Sequence, residues 1–254
     1  MKLLKAMAIA FSIYSKIPVP QFEWKEEDME YMMCFFPWIG GVIGMFFFGW
    51  AVLCEKFAVG NVCYALIGAA IPLMISGGFH VDGYMDTMDA FHSYQSREKK
   101  LEILKDSHIG AFAAIMLALY YMIDIAAISE IHTQKAVSAV AAVFFLARCF
   151  SGIAVMTLQP AKKEGLLYTF ASSAQKVRVK AALYFQAALC VAIMLLVSGW
   201  YGAAAIGAAL LSFFYFKKKS YKELGGITGD TAGFFVTVCE AAAAAAVAVA
   251  GCFL

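Results

Sequence analysis

The chain has 254 residues, of which 63% are hydrophobic and only 15% are charged. Its mean hydropathy is +0.75, whereas soluble globular domains are roughly 45–50% apolar and about 25% charged. This composition excludes a soluble globular enzyme, a disordered chain, collagen and a coiled coil. The 20 basic and 18 acidic residues give a formal net charge of +2, which predicts no nucleic-acid partner.

The first predicted element is a helix from Lys2 to Tyr14, which is mostly apolar and carries Lys2 and Lys5 near its start. No small-residue cleavage site precedes Lys16, so the segment is not typical of a signal peptide. We predict a short amphipathic or half-inserted helix.

Seven apolar runs follow, most of them close to the roughly 20 residues that a membrane-spanning helix requires. Backbone groups in hydrocarbon must satisfy their own hydrogen bonds, and runs without alternation favour helices over a barrel. The runs are 33–54, 57–79, 110–131, 135–158, 181–198, 202–216 and 232–252. The sequence therefore predicts an all-α, polytopic integral membrane protein in which residues 1–254 form one helical membrane domain within the lipid bilayer.

The basic residues predict the orientation. Seventeen of the 20 lie before the first run or between runs two and three, four and five, and six and seven. The opposite loops hold only Lys56 and Lys135, and Arg148 lies within a run. Because short cytoplasmic loops are enriched in Lys and Arg, we expect a multi-pass protein of the cytoplasmic (inner) membrane. Its N-terminus and active-site loops face the cytoplasm, and its C-terminus faces outward.

An acidic stripe follows the second run. Asp82, Asp86 and Asp89 are spaced i, i+4 and i+7, which places them on one helix face about 60° wide. Like charges this close repel one another unless a cation neutralises them, and the residues between them, such as Val81 and Met85, are mostly apolar. We predict a divalent metal site, with a solvated acidic face or a sodium or proton site as alternatives.

Oxygen ligands favour Mg²⁺ or Mn²⁺ over zinc, and Mg²⁺ usually lies between carboxylates and substrate phosphates. The same loop supplies cations for a diphosphate: Arg97 could bind phosphate oxygens through its planar fork and Lys105 as a point charge. Asp106 and Ser107 follow directly.

A glycine-rich segment, residues 225–233, leads into the last run. Its glycines would let backbone N–H groups and a helix N-terminus approach an anion, while Asp230 could equally be a plain N-cap. Glu240 lies in the last run and indicates that this helix faces a polar site. Asp124 and Arg148 are also intramembrane ions, and a salt bridge between them is one interpretation.

These motifs together resemble the cobalamin synthase (adenosylcobinamide-GDP ribazoletransferase) family. The resemblance extends along nearly the whole chain and departs from the family pattern at Asp124, where a Lys is expected. The matching residues are Lys16 to Pro20, Phe36-Pro37 with Gly40, Phe79 to Gly83 with Asp86 and Asp89, Lys105 to Ser107 with Gly110, Arg148, Glu164-Gly165-Leu166, and Gly225-Gly226 with Thr228 to Asp230 and Gly233.

The resemblance implies that a hydroxyl of α-ribazole, or of its 5′-phosphate, attacks the cobinamide-linked phosphoryl group of adenosylcobinamide-GDP and releases GMP, with Mg²⁺ as cofactor. The resemblance is compatible with a homo-oligomer or with a complex with other late cobalamin-pathway enzymes. The expected catalytic residues are Asp82, Asp86, Asp89 and His80. The expected metal ligands are Asp82, Asp86, Asp89, Asp106 and Asp230. The expected substrate contacts are Arg97, Lys105, Ser107, Arg148, Gly226, Thr228, Gly229 and Glu240.

Three other classes share part of this pattern. CDP-alcohol phosphotransferases also use clustered aspartates, but their signature requires an Asp three residues before Asp-Gly, where this chain has Phe79. Prenyltransferases carry two Asp-rich motifs, and the second region here has only Asp230. A secondary transporter would place ionisable groups in mid-span within internal repeats, whereas the polar residues here gather in loops.

Overall fold

The computed structural model describes residues 2–20, 23, 25–162, 167, 172 and 174–253. Within them the chain forms ten α-helices, one 3₁₀ turn and no β-strand. The helices are α1 Lys2–Tyr14, α2 Met32–Lys56, α3 Asn61–Ser76, α4 Phe79–His92, α5 Arg97–Ile103, α6 Ala111–Ile128, α7 Gln134–Thr157, α8 Lys176–Ser198, α9 Trp200–Leu224 and α10 Gly229–Gly251. The all-α class and the N-terminal helix are confirmed, while residues 163–166, which include the Glu164-Gly165-Leu166 motif, lie outside the described residues.

Five of the described helices are long and apolar enough to span a membrane: α2, α6, α7, α8 and α10. The pair α3 and α4 qualifies jointly as a sixth span, bent by 97°. The polytopic architecture is confirmed, but the described helices give at most six spans and not the seven that the apolar runs predicted. The run 202–216 lies within α9, whose last nine residues contain four lysines and a glutamate.

The central helix of the bundle is α7. Its apolar window is 78% buried, against 22% for the peripheral α6. Helix α2 packs directly on α7, because Gly40 and Gly44 have no side chains: a Cβ at either position would collide with the backbone of Phe144 or Ala141. Small residues at such positions let membrane helices approach closely.

The bend between α3 and α4 places the acidic stripe. Gly77 and Gly78 both have positive φ, +66° and +86°, a conformation that glycine adopts without steric cost. The run predicted as one span over 57–79 therefore breaks here, and α4 turns away to pack against α6 and α10. Near the start of α10, Tyr84 stacks on Phe234 with ring centroids 5.9 Å apart. The fold thus brings the aspartate-bearing helix to the glycine-rich segment.

Candidate active site

A cavity of about 550 Å³ lies where α4 meets the start of α10. One part of its wall is polar and the other is apolar and largely aromatic. The polar part includes Asp82, Lys105, Lys162, Thr228, Gly229 and Asp230, and the apolar part includes Tyr14, Met33, Phe36, Phe79 and Val155. A site with charged groups beside an apolar surface suits a substrate that carries both phosphate and large organic groups.

Two glycines hold α4 against α10. A Cβ at Gly83 would lie 2.8 Å from the carbonyl oxygen of Asp230, and one at Gly233 would lie 3.1 Å from the carbonyl oxygen of His80. No side chain fits between the helices at the first of these points. Because of this contact, Asp82 and Asp230 line the same cavity although 148 positions separate them in sequence.

The predicted acidic stripe does form one helix, but its members have different surroundings. Asp82 is exposed and lines the cavity. Asp86 is half-buried and lies close enough to Asp82, Asp89 and Asp230 for their charges to repel its carboxylate. The carboxylate of Asp89 accepts hydrogen bonds from the backbone N–H groups of Gly110, at 2.7 Å, and Ala113, at 2.8 Å. Asp89 therefore caps the N-terminus of α6, a role that its place in the stripe did not indicate.

Asp106 does not line the cavity. Its side chain is exposed and accepts hydrogen bonds from the backbone N–H of His108, at 3.0 Å, and contacts that residue's Nδ1 at 2.6 Å. These bonds hold the pKa of the Asp106 carboxyl below its usual range. Among the described residues, no group of three or more His, Cys, Asp or Glu side chains is arranged to hold a metal ion by itself.

The predicted cations occupy different places. Lys105 lines the cavity, and so does Lys162, whose ammonium donates to the carbonyl oxygen of Leu101 at 2.7 Å. The Arg97 guanidinium lies against Gly225, at the start of the glycine-rich segment, and is not part of the cavity wall. Ser107 is exposed in the loop.

The glycine-rich segment is held by backbone pairing. Ile227 donates to the carbonyl oxygen of Gln159 at 3.0 Å and accepts from the N–H of Ala161 at 2.8 Å. Gly226 lies against the same strand-like stretch. The N-cap of α10 is Thr228, which accepts from the N–H of Thr231 at 3.1 Å. The interpretation of Asp230 as the N-cap is therefore wrong, because the Thr228 hydroxyl fills that position.

Glu240 forms a buried ion pair with Arg148 at 2.6 Å. The same guanidinium donates to the carbonyl oxygen of Phe144 at 2.8 Å. The pairing of Arg148 with Asp124 is thus wrong, since α10 and not α6 supplies the acid. The pair links α7 to α10, and neither residue lines the cavity wall.

His80 is 5% exposed and lines the cavity. Neither of its ring nitrogens has a hydrogen-bond partner among the residues that the structure describes. Its ring lies among those of Tyr14, Phe36 and Phe79, with centroid separations of 6.1, 5.7 and 5.6 Å.

Sequence reasoning missed several residues near the site. Tyr14 was treated only as the end of a helix, and Lys162 only as one of the positive loop charges. The carboxylate of Glu223 binds both Lys100, at 2.5 Å, and Lys219, at 2.9 Å, which joins α5 to the end of α9. Lys219 and Glu223 are only four residues apart, but Lys100 and Glu223 are 123 positions apart, and no local signal marks so distant a contact.

Comparisons with known proteins identify the family. Residues 6–248 match the family model for cobalamin-5-phosphate synthase. An adenosylcobinamide-GDP ribazoletransferase from Lachnoclostridium phytofermentans is 44% identical, over 98% of this chain and 95% of the relative. Proteins of the same name from Clostridium botulinum and Clostridium perfringens are 30% and 29% identical, over 94% and 93% of this chain and 94% of each relative.

No solved structure matches the chain. The family model spans the helices that build the cavity, and the relatives align along almost their full lengths. The chain belongs to the cobalamin-5-phosphate synthase family.

Proposed function

We propose that this chain transfers the adenosylcobinamide-phosphoryl group from adenosylcobinamide-GDP to α-ribazole or to its 5′-phosphate. A ribazole hydroxyl oxygen bonds to the cobinamide-linked phosphorus, the bond from that phosphorus to the GMP oxygen breaks, and a base accepts the hydroxyl proton. The products are adenosylcobalamin, or its 5′-phosphate, and GMP. The observation that carries this proposal is the family match over residues 6–248, joined by relatives of that name along the whole chain.

The polar wall is the proposed diphosphate site. Lys105 and Lys162 supply positive charge to the cavity, and Gly229 places the N-terminus of α10 at its edge. Backbone N–H groups and the helix dipole at such an end favour a phosphate. Arg97 and Ser107 are proposed to contact the part of the substrate that extends out of the cavity. Ser107 lies in the loop after Lys105, and Arg97 lies against Gly225 of the glycine-rich segment.

The aspartates fit Mg²⁺. Mg²⁺ is bound through one or two carboxylates together with substrate phosphates, and Asp82 and Asp230 offer two such groups on one cavity. Asp86 adds negative charge beside them. When bound, the metal offsets charge on the transferred phosphoryl group. Asp89 and Asp106 are proposed to act on the adjoining loop, which Asp89 fastens to α4.

Two kinds of group on the wall could accept the hydroxyl proton. One is His80, and the other is whichever of Asp82 and Asp230 does not hold metal. Both kinds line the cavity, so either one could lie near a bound hydroxyl group.

The orientation with cytoplasmic active-site loops is also a proposal, supported by the charge distribution. Two native cysteines test it, because Cys63 and Cys252 are exposed and fall on the predicted outer side. A membrane-impermeant thiol reagent should label both in intact cells, and Cys63→Ser or Cys252→Ser should each remove one label. Ser107→Cys should be labelled only after the cells are opened. Labelling of Ser107→Cys in intact cells would contradict the orientation.

The activity is tested with purified protein in liposomes. GMP should appear only when adenosylcobinamide-GDP and α-ribazole, or its 5′-phosphate, are both present. Release of CMP from a CDP-alcohol and a second alcohol would instead indicate a CDP-alcohol phosphotransferase. Absence of any nucleotide product would contradict both.

A further inference from the structure

Four aromatic rings form one cluster at the apolar end of the cavity. Tyr14 lies 4.5 Å from Phe36 and 5.0 Å from Phe79, measured between ring centroids, and is stacked on His80 at an interplanar angle of 14°. All four residues line the cavity. They come from α1, α2 and the first turn of α4, so three separate helices converge to build this surface.

The cluster contains one unsatisfied polar group. His80 is 5% exposed, and both of its ring nitrogens are without a hydrogen-bond partner among the described residues. A buried polar atom without a partner costs free energy, so such atoms are normally paired. His80 is one of the residues that line the cavity, so a bound ligand could supply the missing hydrogen bond.

The rest of this end is poor in polar groups. Met33 lies one turn before Phe36 on α2, and Val155 lies one turn after Ser151 on α7; all four line the cavity. A group bound here would find flat apolar surfaces together with the His80 ring and the Ser151 hydroxyl. That environment fits a planar aromatic base with a single exposed acceptor nitrogen.

We infer that this aromatic cluster, Tyr14, Phe36, Phe79 and His80, binds the base of the acceptor nucleoside, with a His80 ring N–H donating to the base's free nitrogen. The inference rests on the proposed function, whose substrates carry three aromatic bases: the benzimidazole of ribazole, and the guanine and the adenine of adenosylcobinamide-GDP. A benzimidazole attached to ribose through one nitrogen keeps only one acceptor. Guanine carries a carbonyl, a ring N–H and an amino group on its edge, and adenine carries an amino group and three acceptor nitrogens. Most of these groups would be left without partners here.

The first test measures KM for each substrate separately. Tyr14→Ala and Phe36→Leu should raise the KM for α-ribazole on the order of tenfold or more, because stacking of a base on an aromatic ring is lost. The KM for adenosylcobinamide-GDP should stay within about twofold. Phe46→Ala is the matched control, since Phe46 is on α2 and 57% exposed away from the cavity. A rise in the KM for adenosylcobinamide-GDP alone would place one of the donor's bases, guanine or adenine, in the cluster and overturn the inference.

The second test separates recognition from proton transfer at His80. His80→Gln keeps a hydrogen-bonding group but cannot serve as a base, whereas His80→Ala removes both capacities. If His80 recognises the base, both variants chiefly raise the acceptor's KM, and His80→Gln raises it less than His80→Ala. Equal loss of kcat in both variants with unchanged KM would make His80 the proton acceptor and overturn the assignment.

Binding of α-ribazole can also be measured directly, so that a variant without activity still gives a result. Calorimetric titration of α-ribazole into the purified full-length protein should show weaker binding in Tyr14→Ala and His80→Ala, and parent-like binding in His92→Ala, whose ring stacks on Phe112 outside the cavity. Parent-like binding in Tyr14→Ala and His80→Ala would overturn the inference. If the parent protein releases no GMP with either acceptor, the proposed function fails instead.

Discussion

Gly83 lies directly against the backbone of Asp230, so closely that a Cβ at Gly83 would be 2.8 Å from the Asp230 carbonyl oxygen. This contact crosses α4 over the first turn of α10. It brings two carboxylates, which sequence reasoning assigned to separate motifs, to the wall of one cavity.

The contact predicts that Gly83→Ala pushes α4 away from α10 and misplaces Asp82 relative to Asp230. Displacements of about 1 Å in an active site can cost roughly a hundredfold in rate, so kcat should fall by about that factor. Gly49→Ala is the control, because a Cβ there meets nothing within 4 Å. Equal activity in the two variants would show that the close approach is not needed.

The cap formed by Asp89 predicts a stability effect. Asp89→Ala leaves the N–H groups of Gly110 and Ala113 unpaired, and loss of such a cap costs about 1–2 kcal/mol. The melting temperature in detergent should therefore fall for Asp89→Ala, while Asp82→Asn should melt like the parent. If Asp89→Ala keeps the parent's melting temperature but loses activity, its role is at the metal and not at α6.

We predict that the ion pair of Arg148 and Glu240 stabilises the fold and does not contact the substrate. Arg148→Met alone leaves a buried carboxylate unpaired and should destabilise the protein by about 3–5 kcal/mol. The double variant Arg148→Met with Glu240→Leu should recover most of that loss, because no buried charge is left. Thermal unfolding measures both effects. A double variant that is stable but no longer binds adenosylcobinamide-GDP would show that the pair contacts substrate.

The sequence predicted those features that depend on local pattern. The 3.6-residue period placed Asp82, Asp86 and Asp89 on one helix, and apolar run length predicted the membrane architecture. The bend at Gly77 and Gly78 was not predicted, because an apolar run has the same sequence pattern whether its helix continues straight or bends by 97°.

Partners distant in sequence could not be predicted from pattern alone. Arg148 and Glu240 are 92 positions apart, and run order alone allowed Asp124 as the acid equally well. The aromatic cluster is a similar case, since Tyr14 and His80 meet only after α1 and α4 have packed together. The resemblance supplied the reaction, which neither composition nor spacing contains.

We expect the proposed activity to depend on a divalent metal, because two carboxylates line the cavity. Removal of divalent cations with EDTA should abolish GMP release, and Mg²⁺ should restore it more effectively than Ca²⁺, because Mg²⁺ holds near-ideal octahedral geometry with carboxylate and phosphate oxygens. Asp106→Asn should stay within about tenfold of the parent, since Asp106 is exposed and bonded to His108. Full activity in EDTA would contradict the metal site.

We expect Asp82 and Asp230 to act together at one phosphoryl-transfer site. The most direct measurement is GMP release by the parent, Asp82→Asn and Asp230→Asn proteins, each purified, shown to be folded, and supplied with Mg²⁺, adenosylcobinamide-GDP and α-ribazole. Because the proposed metal would offset charge on the transferred group, each variant should lose on the order of a hundredfold or more in kcat. The double variant should lose little beyond the worse single one. Near-parent turnover in either single variant would contradict the claim.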